Sequence, residues 1–189
     1  MNQKKFPFPD KRSSMEILKK DPCYSKIPPE QVPIVFEDAW TTGTTEAQKF
    51  LSAHCQNSGF DMMEILTRLG FAITVQDVDY VMGNIRYFCE YFSEKNQIIV
   101  YSKGIDLWAA SNELEHEQAR NIILAHEFFH HLESRQLGWI SRRCLVPMLK
   151  IGSFTLGKTG IAALSEVAAN AFANEYYSAY AKATASSQE

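Results

Sequence analysis

Asn121-Ile122-Ile123-Leu124-Ala125-His126-Glu127-Phe128-Phe129-His130-His131-Leu132 is the stretch whose reading decides this chain. Histidines four apart lie one above the other on a helix of 3.6 residues per turn. His126 and His130 can therefore reach one Zn²⁺ from the same side, and Glu127 can face a water at the open position of the metal. The residues before His126 are apolar enough for a buried core helix. An acid between the two histidines has no structural reason to be buried there, which favours the metal site over a plain core helix.

A catalytic zinc takes three protein ligands and leaves one position open. A second long helix is expected over 160–181, and on it Glu166 and Asn170 share a face with Ala169, Ala173 and Tyr177. Glu166, 36 positions beyond His130, is the best third ligand in the chain. Asn170, one turn on, is placed to accept the second ring N–H of a ligating histidine and so fix its tautomer.

His126-Glu127-Phe128-Phe129-His130 followed by Glu166-Val167-Ala168-Ala169-Asn170-Ala171-Phe172-Ala173 resembles the HExxH … ExxAN-x-FA pattern of the ImmA/IrrE metallopeptidases. The resemblance covers about the last half of the chain. It implies a small intracellular zinc peptidase of gluzincin type with a zincin-like domain. It also implies a narrow protein substrate, usually a helix-turn-helix transcriptional repressor cleaved under stress or DNA damage, often within a mobile element. Phe129 stands where the family usually has Gly, which predicts a tighter or shifted fit around the metal. After Ala173 the usual Leu-Leu-x-Pro ending is replaced by Asn174-Glu175-Tyr176-Tyr177.

At 189 residues and 46% hydrophobic, the chain is long enough for one domain with a substantial core. A net charge of −3 argues against a dedicated nucleic-acid binder. No apolar run approaches the ~20 residues of a membrane span, and no export signal is visible. Cys23, Cys55, Cys89 and Cys144 show no metal or disulfide spacing and read as reduced thiols in a cytoplasmic protein.

Residues 1–35 hold six of the seven prolines and read as an extended Pro/Lys-rich arm, with at most a short helix over Ser14 to Lys19. Residues 36–189 then form the metallopeptidase domain. Its expected helices run from Thr44 or Thr45 to Cys55 and from Asp61 to Leu69, closed by Gly70. A short strand at 71–75, a turn at 81–84 and a hairpin pairing 85–92 with 97–101 follow. Asn112 and Glu115 suggest a capping box for the metal helix.

The fold class is α+β: a small, mostly antiparallel sheet with an edge strand beside the central His-Glu-x-x-His helix, and a second helix carrying the Glu ligand. Ile99, Val100 and Tyr101 are candidates to hold an extended substrate at that edge. The segment Ser134–Gly160 has five basic residues and no acid, so Arg142 and Arg143 are candidates for an acidic part of the substrate. Its glycines and Ser153 suggest mobility. Tyr101, Tyr176, Tyr177 and His131 are all candidates for a second transition-state donor.

These residues predict zinc-dependent peptide-bond hydrolysis, with Glu127 as proton carrier and His126, His130 and Glu166 as ligands. The alternative is a catalytically silent zinc-binding protein that sequesters a repressor or toxin. The intact Glu127 argues against it.

Overall fold

Helix α1 (Lys11–Lys19) begins where the side chain of Asp10 accepts the Ser13 amide. That contact satisfies one of the orphan donors of a helix start. The computed structural model describes residues 8–55, 59–83, 85–151 and 154–186. Leu18 and Ser14 of α1 are wholly buried, and the helix packs against the last helix of the chain. The short helix allowed over Ser14 to Lys19 is present and begins at Lys11. The extended arm around it is corrected: between residues 8 and 35 the chain forms α1, a tight turn at Tyr24–Lys26 and the start of a second helix.

That helix, α2 (Val32–His54), starts a dozen residues before the expected Thr44. Pro33 sits in its first turn, where a missing N–H costs nothing and a fixed φ favours the helix. Helix α3 (Met62–Arg68) follows expectation, with Asp61 accepting the amides of Met63 and Glu64 and Gly70 at φ 86° behind it. Asn121 Oδ1 also takes the Met62 amide, which fastens this start to the metal helix.

Strands β1 (Ala72–Gln76), β2 (Tyr80–Met82), β3 (Ile85–Tyr87), β4 (Cys89–Phe92) and β5 (Gln97–Tyr101) come next. The main sheet has the order β1-β5-β4, with β1 parallel and β4 antiparallel to β5, while β2 and β3 form a separate hairpin. Val81 and Met82 belong to β2, Gly83 turns the chain at φ 60°, and Asn84 lies outside the described residues. Of the expected hairpin between 85–92 and 97–101, only Cys89–Phe92 pairs with β5, while Ile85–Tyr87 pairs with β2 instead. Strand β5 is the middle strand, so Ile99, Val100 and Tyr101 have both edges paired and cannot take an added strand. The exposed edges belong to β1 and β4.

Helix α4 (Ser102–Asn112) occupies a stretch where no element was expected from sequence. Glu113 at φ 58° ends it, and α5 (His116–Leu132) starts afresh with a capping box of Glu115 and Gln118 instead of Asn112 and Glu115. After a π-helical turn at Glu133–Leu137, the basic connector folds into the antiparallel hairpin β6 (Leu145–Ile151) and β7 (Phe154–Gly160). The part expected to be mobile thus includes paired strands; Gly152 and Ser153 lie outside the described residues.

Helix α6 (Ala163–Ser186) packs on both α2 and α5. At Gly43 of α2 a Cβ would lie 2.0 Å from the Ala168 carbonyl oxygen, so only glycine permits this approach. Phe129 and Phe172 are fully buried with ring centroids 5.9 Å apart, joined by Phe50 and Phe128. Each buried ring of this kind contributes roughly 1.5–3 kcal/mol. The architecture is α+β, with six α-helices among the described residues.

Candidate metal centre

His126 and His130 project from one face of α5, as i, i+4 spacing dictates, and their Nε2 atoms are 3.2 Å apart. Glu166, in the first turn of α6, places Oε2 3.4 Å from His126 Nε2 and Oε1 3.6 Å from His130 Nε2. A tetrahedral ion with arms of about 2.0–2.2 Å has ligand atoms about 3.3–3.6 Å apart. The three side chains thus fit a zinc-sized ion, and among the described residues they form the one His/Cys/Asp/Glu group so arranged. Phe129, which stands where a tighter or shifted fit was expected, is buried against Phe172 with its ring edge-on to His130 at 6.4 Å between centroids.

Two of the three, His126 and Glu166, line a cavity of about 300 Å³, and His130 stands behind them. Glu127 lines it together with His126, Glu166, Asn170 and an apolar wall that includes Ile17, Phe88, Trp108, Ile122 and Ile123. Burial raises the Glu127 carboxyl above its ordinary range, while the charges of His126 and His130 pull the other way. Burial also opposes ionisation of Glu166, but contact with His126 and the charge of His130 bring it down to about 2. It is an anion ready to ligate. In His130 burial disfavours the cation, and the carboxylates of Glu133, Glu166 and Glu127 outweigh it, raising the group to about 9. Cys89 lines the same cavity, but burial and the Glu127 charge keep its thiol protonated, so it is no nucleophile.

Several expected roles are not found where the side chains lie. Asn170 does reach the cavity, but its amide nitrogen donates to Ser14 Oγ at 3.1 Å and ties α6 to α1. His131 points to the other side of α5, where Nδ1 is 2.6 Å from the Tyr91 hydroxyl and its ring stacks on Phe128. Tyr101 donates to Glu90, and Tyr176, fully buried, donates to the Phe60 carbonyl. Tyr177 packs edge-on against Phe8. None of these four lines the cavity. Arg143 is held by Asp38 and Thr42 on α2, at 3.2 and 2.8 Å, and exposed Arg142 is equally absent from the cavity wall.

What stands there instead is Arg86 and Tyr87 at the end of β3, with Pro9, Ser13 and Ile17 from the N-terminal segment. No local pattern marked these residues, because a strand end and a distant helix meet only through the tertiary fold. Glu133 is different. It lies three residues after His130, on the same helical side, and that spacing was available as a signal.

No protein-family model, curated protein or solved structure matches the chain. The reading of the site rests on its own geometry. Among the described residues, no helix is long and apolar enough to cross a membrane.

Proposed function

We propose that the chain is a zinc-dependent metalloendopeptidase of zincin-like type, with His126, His130 and Glu166 as zinc ligands. The observation that carries this reading is the triad with ligand atoms 3.2–3.6 Å apart and Glu127 on the same cavity. Zinc supplies Lewis acidity, which acidifies a water and polarises a carbonyl.

The remaining steps belong to side chains of this protein. Glu127, poised by partial burial, accepts the proton of the attacking water and returns it to the leaving amine. The apolar wall excludes bulk water and strengthens the charge interactions inside. Tyr87 lines the cavity, and in this reading its hydroxyl takes the part of steadying the developing oxyanion that sequence had offered to Tyr101, Tyr176, Tyr177 or His131. The apolar lining suits a substrate with a bulky apolar side chain beside the scissile bond. The motif resemblance adds the substrate class: a regulatory protein such as a helix-turn-helix transcriptional repressor.

The test is cleavage of a proteome-derived peptide library, and of helix-turn-helix repressors from the same organism, by wild type and Glu127→Gln protein. Zinc-dependent cleavage by wild type, abolished by a chelator and by Glu127→Gln, is expected. Tight repressor binding with no cleavage by either protein would instead support sequestration.

A further inference from the structure

Glu133 is a carboxylate with no exposure at all, placed in the turn that ends α5. Its two oxygens have very different surroundings. Oε1 accepts the Ile140 amide at 2.7 Å and the Ser165 hydroxyl at 2.5 Å, and Ser165 Oγ in turn accepts the Ser141 amide at 3.2 Å. Oε2 is buried without a hydrogen-bond partner, yet His130 Nδ1 faces it at 3.5 Å. A buried, unsatisfied carboxylate oxygen is costly, so an N–H directed at it is strongly favoured.

We infer that Glu133 is the positioning residue of the metal centre: it holds His130 in the Nδ1–H tautomer and fixes the start of α6 beside it. The inference deepens the zinc reading and rests on it. With the proton on Nδ1, the lone pair is on Nε2, the atom that faces His126 and Glu166. The second half of the role runs through Ser165, next in the chain to Glu166. Glu133 thus holds one ligand directly by its ring and the other through its neighbour's hydroxyl. Asn170, the residue expected to accept a ring N–H, donates its amide nitrogen to Ser14 of α1.

Glu133→Gln separates this role from mere packing. Gln keeps the shape and can still accept at Oε1, but it presents an NH₂ group to His130. That group donates to Nδ1 and drives the ring proton to Nε2, where it blocks ligation. Zinc affinity, measured by chelator competition on the folded full chain, should fall about 10–100-fold, with the metal-free melting temperature close to wild type. In zinc-loaded wild type, ¹⁵N-resolved NMR should show a protected, downfield Nδ1–H on His130. That measurement needs no variant to fold.

A Glu133→Gln protein binding zinc within twofold of wild type would overturn the inference. So would a zinc-loaded wild type lacking the protected Nδ1–H. Wild type that binds no zinc would sink the metal reading itself, a distinguishable failure.

Discussion

The Nε2 atoms of His126 and His130 stand 3.2 Å apart, with a Glu166 carboxylate oxygen within 3.6 Å of each. Two imidazoles and a carboxylate at this spacing could hold a cation. Purified protein should contain about one zinc per chain. Replacing any one of the three by Ala should weaken binding by more than the ~100-fold typical of losing an outer partner. Chelation should lower the melting temperature of wild type and leave that of Glu166→Ala unchanged. Zinc bound as tightly by Glu166→Ala as by wild type would remove Glu166 from the ligand set.

Glu127→Gln preserves shape and hydrogen bonding but cannot take a proton at neutral pH. Zinc content and melting temperature should stay close to wild type. The cleavage rate should fall ~10²–10⁴-fold or more, since one group serves both proton transfers. A variant that still cleaves within a few fold of wild type would assign the proton transfers elsewhere.

Tyr87→Phe tests the donor on the cavity wall. If Tyr87 meets the oxyanion, kcat should drop about 10²-fold while KM and zinc content hold steady. A change confined to KM would make Tyr87 a substrate contact.

Arg142 and Arg143 were attractive in sequence because their segment contains no acid. Arg143, however, is engaged with Asp38 and Thr42 on α2, and neither arginine lines the cavity. Replacing both with Gln should leave kcat and KM within about twofold. The stability change should stay within ~1 kcal/mol, as for exposed ion pairs. A salt-dependent rise in KM would restore them to substrate recognition.

Gly43→Ala puts a methyl group 2.0 Å from the Ala168 carbonyl oxygen, a backbone atom that cannot swing aside. The helices must separate, at a cost of about 3 kcal/mol or more. For a domain of this size, that corresponds to a melting temperature about 6–12 °C lower. Because Ala168 is two residues from Glu166, zinc affinity should fall as well, and calorimetry with zinc titration reads both.

The metal helix was legible because its chemistry is local: two histidines and an acid within one and a half turns declare their own geometry. Glu166 was legible for the same reason, once a third ligand was sought on a small-residue helix. Strand order was not. The parallel pairing of Thr74 with Ile99 depends on where the intervening chain carries β2, β3 and β4, and no period-2 pattern encodes that. The early start of α2 was hidden because Pro33 reads as a breaker unless one knows that it stands in the first turn. Asn170 was placed on the correct face, but its partner Ser14 lies 156 residues away, on a helix taken for an arm.

That helix changes where the protein can be cut. Proline density alone suggests trimming at residue 36 to obtain a tidy catalytic unit. Such a chain would lose Pro9, Ser13 and Ile17 from the cavity wall and four residues of α2. It would also strip Leu18 from its seat, leaving apolar surface of α6 in water and Asn170 without its hydroxyl partner. Limited proteolysis between α1 and α2 should therefore leave both fragments associated. A nicked protein that stays whole is a different object from one shortened by the same bond.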